Sequence, residues 1–202
     1  LHLTRSLATS SIAGWLLGLG ERAPHRLMLE QATAEVLHVG TQAILMQRPA
    51  AAEAAASTPA ARAAPAPPFR LTRELVDALG PSGVDGPFRC AAEACLQTAQ
   101  SEQGSAALLT LLEVFVDQPM TGWAAFTASM SAPWLTEGSE GLDALATLDA
   151  GVAIEYAKER FGVKGKSGHT PLSVESRVRQ LISQATNEDV LASQPPGWRA
   201  WL

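Results

Sequence analysis

Residues 68–96 read PFRLTRELVDALGPSGVDGPFRCAAEACL. Thr72 stands where an N-cap would stand, ahead of Leu75, Val76 and Leu79 at helical spacing. Gly80-Pro81 ends that helix, since proline cannot continue the hydrogen-bond ladder. Pro87 suits the first turn of a second helix running to about Gln103, with Phe88, Ala92, Cys95, Leu96 and Ala99 turned inward. A third helix carries Leu108, Leu109, Leu111, Leu112, Phe115 and Val116; it is apolar nearly all round, so burial is expected until Asp117-Gln118-Pro119 stops it. Three helices in some fifty residues point to a mainly α architecture.

Working outward, Leu3, Leu7, Trp15, Leu16 and Leu19 mark an N-terminal helix closed by Gly18 and Gly20. Two short apolar runs follow, 26–29 and 35–39, flanking a polar turn, and they read as a β-hairpin. Residues 50–68 differ in kind: 11 of the 19 are Ala and 4 are Pro. The prolines break any alanine-driven helix, so a flexible low-complexity insert is expected there. Residues 142–161 form a further helix candidate, and 162–168 a Gly-rich spacer. Ser173 is placed to cap a helix whose Val174, Val178, Leu181, Ile182 and Ala185 make one apolar stripe. Arg177 and Arg179 are expected to stay solvated. Trp198 and Trp201, three apart, would share one side of a final helical turn.

Composition narrows the function classes. The chain has 202 residues, with 15 Lys and Arg against 20 Asp and Glu, a net charge of −5. That balance argues against a dedicated nucleic-acid surface, which needs clustered cations. Charged residues are only 17%, below the roughly 25% of an ordinary soluble domain. Cys90 and Cys95 form neither a disulfide framework nor a zinc site, so buried thiols in a reducing compartment are expected. The longest uncharged apolar-leaning stretch, 6–20, is too short to span a bilayer. No basic region precedes a compact apolar run, as a secretory leader would require, and a soluble intracellular protein is expected. The first residue is Leu1, which suggests a fragment or a processed product.

Two nucleotide-like patterns fail on context. Residues 18–23 fit G-x-G-x-x-A but follow a helix where that fingerprint needs a strand. Residues 162–167 read G-x-x-G-K-S, two residues too short to wrap a phosphate. The histidines at 2, 25, 38 and 169 are scattered and offer no metal cluster.

Three blocks read together carry a resemblance. TRSLATSSIAGWLLGLGER at 4–22 resembles a helix running into a catalytic loop. The 68–96 block, continued by LLTLLEVFVDQPMTGW at 108–123, resembles the region after an activation loop. LSVESRVRQLISQATNEDVLASQPPGWRAWL at 172–202 is similar to a FATC tail. In this order they resemble the phosphatidylinositol-3-kinase-related protein kinases. The resemblance implies an α+β kinase-like C-lobe with a short β-hairpin near the catalytic loop, plus a helical FATC tail. It divides the chain into a catalytic- and activation-loop region (1–49), the Ala/Pro-rich insert (50–68), a helical part of the C-lobe (69–161), a Gly-rich linker (162–171) and the FATC domain (172–202). An N-lobe would lie before Leu1. The family implies ATP and Mg2+ as cofactors, a serine/threonine kinase activity, the rest of a large chain and a dimer as partners, and a nuclear setting in DNA-damage signalling. No membrane partner is expected, since the longest uncharged apolar-leaning stretch is too short to span a bilayer.

The family's catalytic loop reads G-D-R-H-x-x-N, and the aligned residues are Gly20-Glu21-Arg22-Ala23-Pro24-His25-Arg26. Gly20 and Arg22 match. Glu21 stands at the base position, Ala23 replaces the His, and Arg26 replaces the Mg2+-binding Asn. His38-Val39 is followed by Gly40 where the second metal-binding carboxylate belongs. An extra methylene at Glu21 displaces the base by roughly 1 Å, which costs about 100-fold in rate. A cation about 4 Å from a divalent ion costs roughly 8 kcal/mol at an effective dielectric of about 20. The site residues carried forward are Glu21 and Arg22, with Arg26 as a candidate phosphate contact and Trp198, Trp201 and Leu202 as an interaction tail. The Mg2+ ligands are missing, so no cofactor is expected for this chain alone, and it is expected to be catalytically degenerate. The alternatives are a working kinase in which Arg26 clamps phosphate directly, and a stand-alone helical interaction module.

Overall fold

The computed structural model describes residues 1–19, 22–39, 66–117, 150–163, 172–194 and 198. Among them helix α1 spans His2–Leu16, strands β1 and β2 span Leu27–Leu29 and Val36–His38, and the helices after them are α2 Arg73–Ala78, α3 Pro87–Ala99, α4 Glu102–Asp117, α5 Ala150–Arg160, α6 Val174–Ala185 and α7 Glu188–Ala192. The mainly α reading with one hairpin is what the structure has. No helix among the described residues is long and apolar enough to cross a membrane.

Helix α3 is the centre of the packing. Its Phe88, Ala92 and Leu96 are sealed from solvent, as are Leu7, Ala8 and Ile12 of α1 and Val178 and Leu181 of α6. Helix α1 lies along one side of α3 and α6 against another. Alanines at the contact let helix axes approach closely, and the resulting apolar cluster also takes in Phe69, Leu71 and Phe161. Ser173 caps α6 as expected, accepting a bond from the Ser176 amide at 3.2 Å. Arg179 is exposed, while Arg177 is half-buried and donates to Gln180.

Helix α1 ends by a mechanism that aims the chain at the site. Gly18 adopts a left-handed φ of 63°. The Leu19 amide then reaches the Gly14 carbonyl at 2.9 Å and the Gly18 amide reaches Trp15 at 3.1 Å, the paired closure of a glycine-terminated helix. Gly162 closes α5 the same way, with φ 72° and Val163 bonded back to Lys158 at 3.0 Å. It is a helix terminator, not the first glycine of a phosphate loop.

The hairpin pairs Leu27 with His38, Met28 with Leu37 and Leu29 with Val36. A three-residue pairing is marginal alone. It is tied to α1 by the Val36 amide donating to Ser6 Oγ at 2.9 Å, while Ser6 in turn donates to the His2 carbonyl at 2.8 Å.

Five expectations need correction. Helix α3 stops at Ala99, not near Gln103, because Ser101 caps a new helix by accepting from the Gly104 amide at 3.1 Å. Helix α4 is not buried all round: Leu111 is 67% exposed and Val114 59%. Cys90 is exposed, and Cys95 only partly buried. Pro67 and Pro68, at the end of the stretch expected to be flexible, are buried. Thr72 sits at the N-cap of α2 without a side-chain cap bond. The rest of the insert, and the 142–149 part of the expected helix, lie outside the described residues.

Thr72 makes a test. Its hydroxyl is buried with no hydrogen-bond partner among the described residues, and an unsatisfied buried hydroxyl costs about 1–3 kcal/mol. Thr72→Val keeps the shape and removes the polar atom. Thermal or denaturant unfolding should show a gain of about 1 kcal/mol; a loss of that size would mean the hydroxyl caps the helix.

Candidate functional site

The end of α1, the turn after it, β2 and residues 69–70 enclose one small cavity. Arg22, His38 and Arg70 reach it from three separate stretches, with Ser10, Ser11 and Phe69 beside them. None of the described residues lining it is acidic.

Arg22 faces inward and is 5% exposed. Its Nε and Nη2 both donate to the Leu19 carbonyl, at 2.9 and 2.7 Å, and Nη2 also reaches the Gly14 carbonyl at 3.5 Å. The guanidinium therefore staples the turn to the helix end, giving the Leu19 carbonyl two donors and adding a long contact to the Gly14 carbonyl, which the Leu19 amide already holds. Burial, and then the like charge of Arg160, push its pKa down to about 9. Burial also pushes Arg160 down to about 10, against the opposite pull of Glu159. Arg70 is lowered by burial as well, with Glu74 opposing. Among the described residues lining the cavity, the charged ones are Arg22 and Arg70.

Arg26 lies in a 3-10 turn, Pro24–Arg26, half-buried and leading straight into β1. The Val39 amide bonds to its carbonyl at 2.8 Å. Its side chain is not among those lining the cavity, so the structure does not bring Arg22 and Arg26 onto one ligand position. Glu21, Trp201 and Leu202 lie outside the described residues. Trp198 is half-buried, with the Arg70 guanidinium 5.2 Å from its ring centroid and Arg70 Nη1 donating to its carbonyl. Sequence reasoning passed over Arg70. Its only signal was its place between two strongly apolar residues, Phe69 and Leu71.

The residues present do not fit Mg2+. Arg26 has no acceptor atom and carries a positive charge, and the residue after Val39 is Gly40, which has no side chain to donate. Among the described residues no three His, Cys, Asp or Glu side chains converge. A larger apolar groove of about 580 Å³ runs between α1, α3 and α4, lined in part by Ala13, Leu17, Ala94 and Cys95. Burial raises the pKa of the Cys95 thiol there.

Comparison with known proteins decides the family. The family model for phosphatidylinositol 3- and 4-kinase matches residues 2–125, and the FATC domain model matches 171–202. This chain belongs to the phosphatidylinositol-3-kinase-related protein kinases. It is 31% identical to the serine/threonine-protein kinase ATM of Arabidopsis thaliana over 215 aligned residues, covering all of this chain and 5% of that protein. It is 30% identical to protein kinase rad3 of Schizosaccharomyces pombe, covering 98% of this chain and 7% of that one. Among solved structures, the open conformation of CtTel1 matches with a TM-score of 0.71 at 29% identity, over 100% of this chain and 6% of that chain. The FAT and kinase domain of CtTel1 matches at 0.68 and 28%, over 98% and 12%. The chain thus spans only 5–7% of the length of these curated relatives. It matches the C-terminal kinase-domain and FATC segments of ATM/Tel1-like chains.

Arg22 is open to a direct test. Arg22→Lys keeps the charge but cannot fork two nitrogens onto the Leu19 carbonyl. Denaturant unfolding should show a loss of about 2–3 kcal/mol. Unchanged stability would mean the staple is dispensable.

Proposed function

We propose that this chain is the C-lobe and FATC portion of an ATM-like serine/threonine kinase in which the phosphoryl-transfer centre has been dismantled while its scaffold is kept. The setting proposed for it, from the resemblance to the family, is nuclear DNA-damage signalling within a much larger chain. One solved relative is described as a complete CtTel1 dimer with C2 symmetry, and a dimeric assembly is proposed here too. Phosphoryl transfer is mostly positioning and charge neutralisation. One observation carries the reading: the matched Arg22 is spent on holding the loop, with Arg26 where the metal needs an acceptor. A chain that keeps the loop's staple and loses its metal ligands keeps shape and drops chemistry.

The interaction reading has its own support. Leu111 and Val114, three apart on α4, put two exposed apolar side chains on one helix face, and clustered exposed apolar surface marks protein contact.

The test uses the intact chain with labelled ATP, Mg2+ or Mn2+, and a Ser/Thr-Gln peptide. Turnover should not exceed that of Glu21→Ala, and fluorescent-ATP binding should be indifferent to Mg2+. The double variant Arg26→Asn, Gly40→Asp should gain Mg2+ dependence in that binding assay. Wild-type turnover above the Glu21→Ala level, or Mg2+-stimulated binding by the wild type, would overturn the proposal.

A further inference from the structure

Leu7, Ser10, Ser11 and Gly14 of α1 share one helix face, and that face lines the cavity behind the turn that carries Arg22. The middle pair brings two hydroxyls to the wall. A serine inside a helix commonly bonds back to the carbonyl one turn earlier, and Ser6 does so, donating to His2 at 2.8 Å. Ser10 and Ser11 do not: among the described residues neither hydroxyl makes a hydrogen bond. Ser11 is nonetheless only 7% exposed. Its oxygen is not one of the sealed polar atoms, so it faces open space, and the open space on this face is the cavity. A buried hydroxyl without a partner is costly, and one that lines a cavity asks for an occupant. We infer that this cavity binds one monatomic anion, a halide such as chloride, held by the Ser10 and Ser11 hydroxyls in the field of Arg22 and Arg70.

Size and sign select the ligand. The cavity measures about 20 Å³, and one water needs roughly 10–15 Å³ of such space. There is room for a single small occupant, and none for phosphate, sulfate or a carboxylate. Serine hydroxyls rotate to donate. The charged residues among the described lining are Arg22 and Arg70, and none is acidic. Charge acts through space, so the attraction needs no idle donor on either arginine. Arg22 keeps the Leu19 carbonyl and Arg70 the Trp198 carbonyl while an anion sits beside them. Burial disfavours the charge on both, and Arg160 adds like charge at Arg22; an anion offsets that cost. A water would satisfy the hydroxyls but carries no charge. The inference stands on α1 and the cavity, apart from the loss of phosphoryl transfer, so either can fail without the other.

The experiment is an NMR titration of the full chain with sodium chloride against sodium gluconate at constant ionic strength, gluconate being too large to enter. The amides of Ser11, Gly14 and Leu19, all on the cavity wall, are the reporters. The reference is the Thr186 amide at the end of α6, bonded to Ile182. Chloride should move the three reporters along one saturable curve with Thr186 still, and bromide should compete for it. Ser10→Ala and Ser11→Ala should each weaken half-saturation by about 10-fold, as loss of a hydrogen bond to a charged group does. Shifts that grow linearly with salt, or that Thr186 or gluconate reproduces, would overturn the inference. So would half-saturation unchanged in both serine variants. Reporters that never move would give the cavity to water and overturn it equally. Should a variant fail to fold, the wild-type curves and the bromide competition decide alone.

Discussion

The contact of α1 with α3 is the constraint on which the other features rest. Both helices bring small and large apolar residues to it, Ala8 between Leu7 and Ile12 on one, Ala92 between Phe88 and Leu96 on the other, all sealed from water. Because α1 is held there, Gly18 delivers the following turn to a fixed place, Arg22 can staple it, and Ser6 can hold the hairpin. On its other side α3 receives α6, so the FATC segment closes the same core. Farther out, Lys158 of α5 meets Glu155 on its own helix at 3.2 Å and Glu113 of α4 at 3.5 Å; exposed pairs of this kind contribute little. Packing, not charge, holds the fold.

Most of that architecture was legible because it is written in apolar period and helix punctuation. Leu3 to Leu19, Phe88 to Ala99 and Val174 to Ala185 each repeat at helical spacing, and Ser173 and Gly18 act at the ends as their types demand. The errors came where two local signals competed. Ser101 lies inside an unbroken helical pattern, and its capping of Gly104 outweighed the continuity of that pattern. Leu111 and Val114 look like core by composition, since a sequence window carries no information on which apolar face a neighbour covers. Thr72 looks like a cap, yet its burial beside Leu71 turned the hydroxyl away from the role.

The candidate site was legible in a different way. Its substitutions, Ala23, Arg26 and Gly40, were visible only against the family's catalytic loop, because no local rule marks an arginine as standing where an amide should. What the sequence could not show was the convergence of Arg22, His38 and Arg70, which come from three separate stretches. Nor could it show that Arg22 spends its donors on Leu19 and Gly14. The core follows from local packing rules, whereas the substituted loop positions acquire a meaning only under the reading proposed above.

The central claim is that kinase-like helices and FATC segment are one cooperative body built on α3. Val178, Leu181 and Ile182 bury side chains worth roughly 1.5–3 kcal/mol each, a large share of the about 5–15 kcal/mol of a whole domain. Calorimetric unfolding of a chain ending at Gly168, beside the full chain, tests it. The account predicts that the shortened chain loses its cooperative transition and its solubility. A shortened chain that unfolds cooperatively at the same temperature as the full one would contradict it, and would make the FATC segment an independent element resting on a C-lobe complete without it.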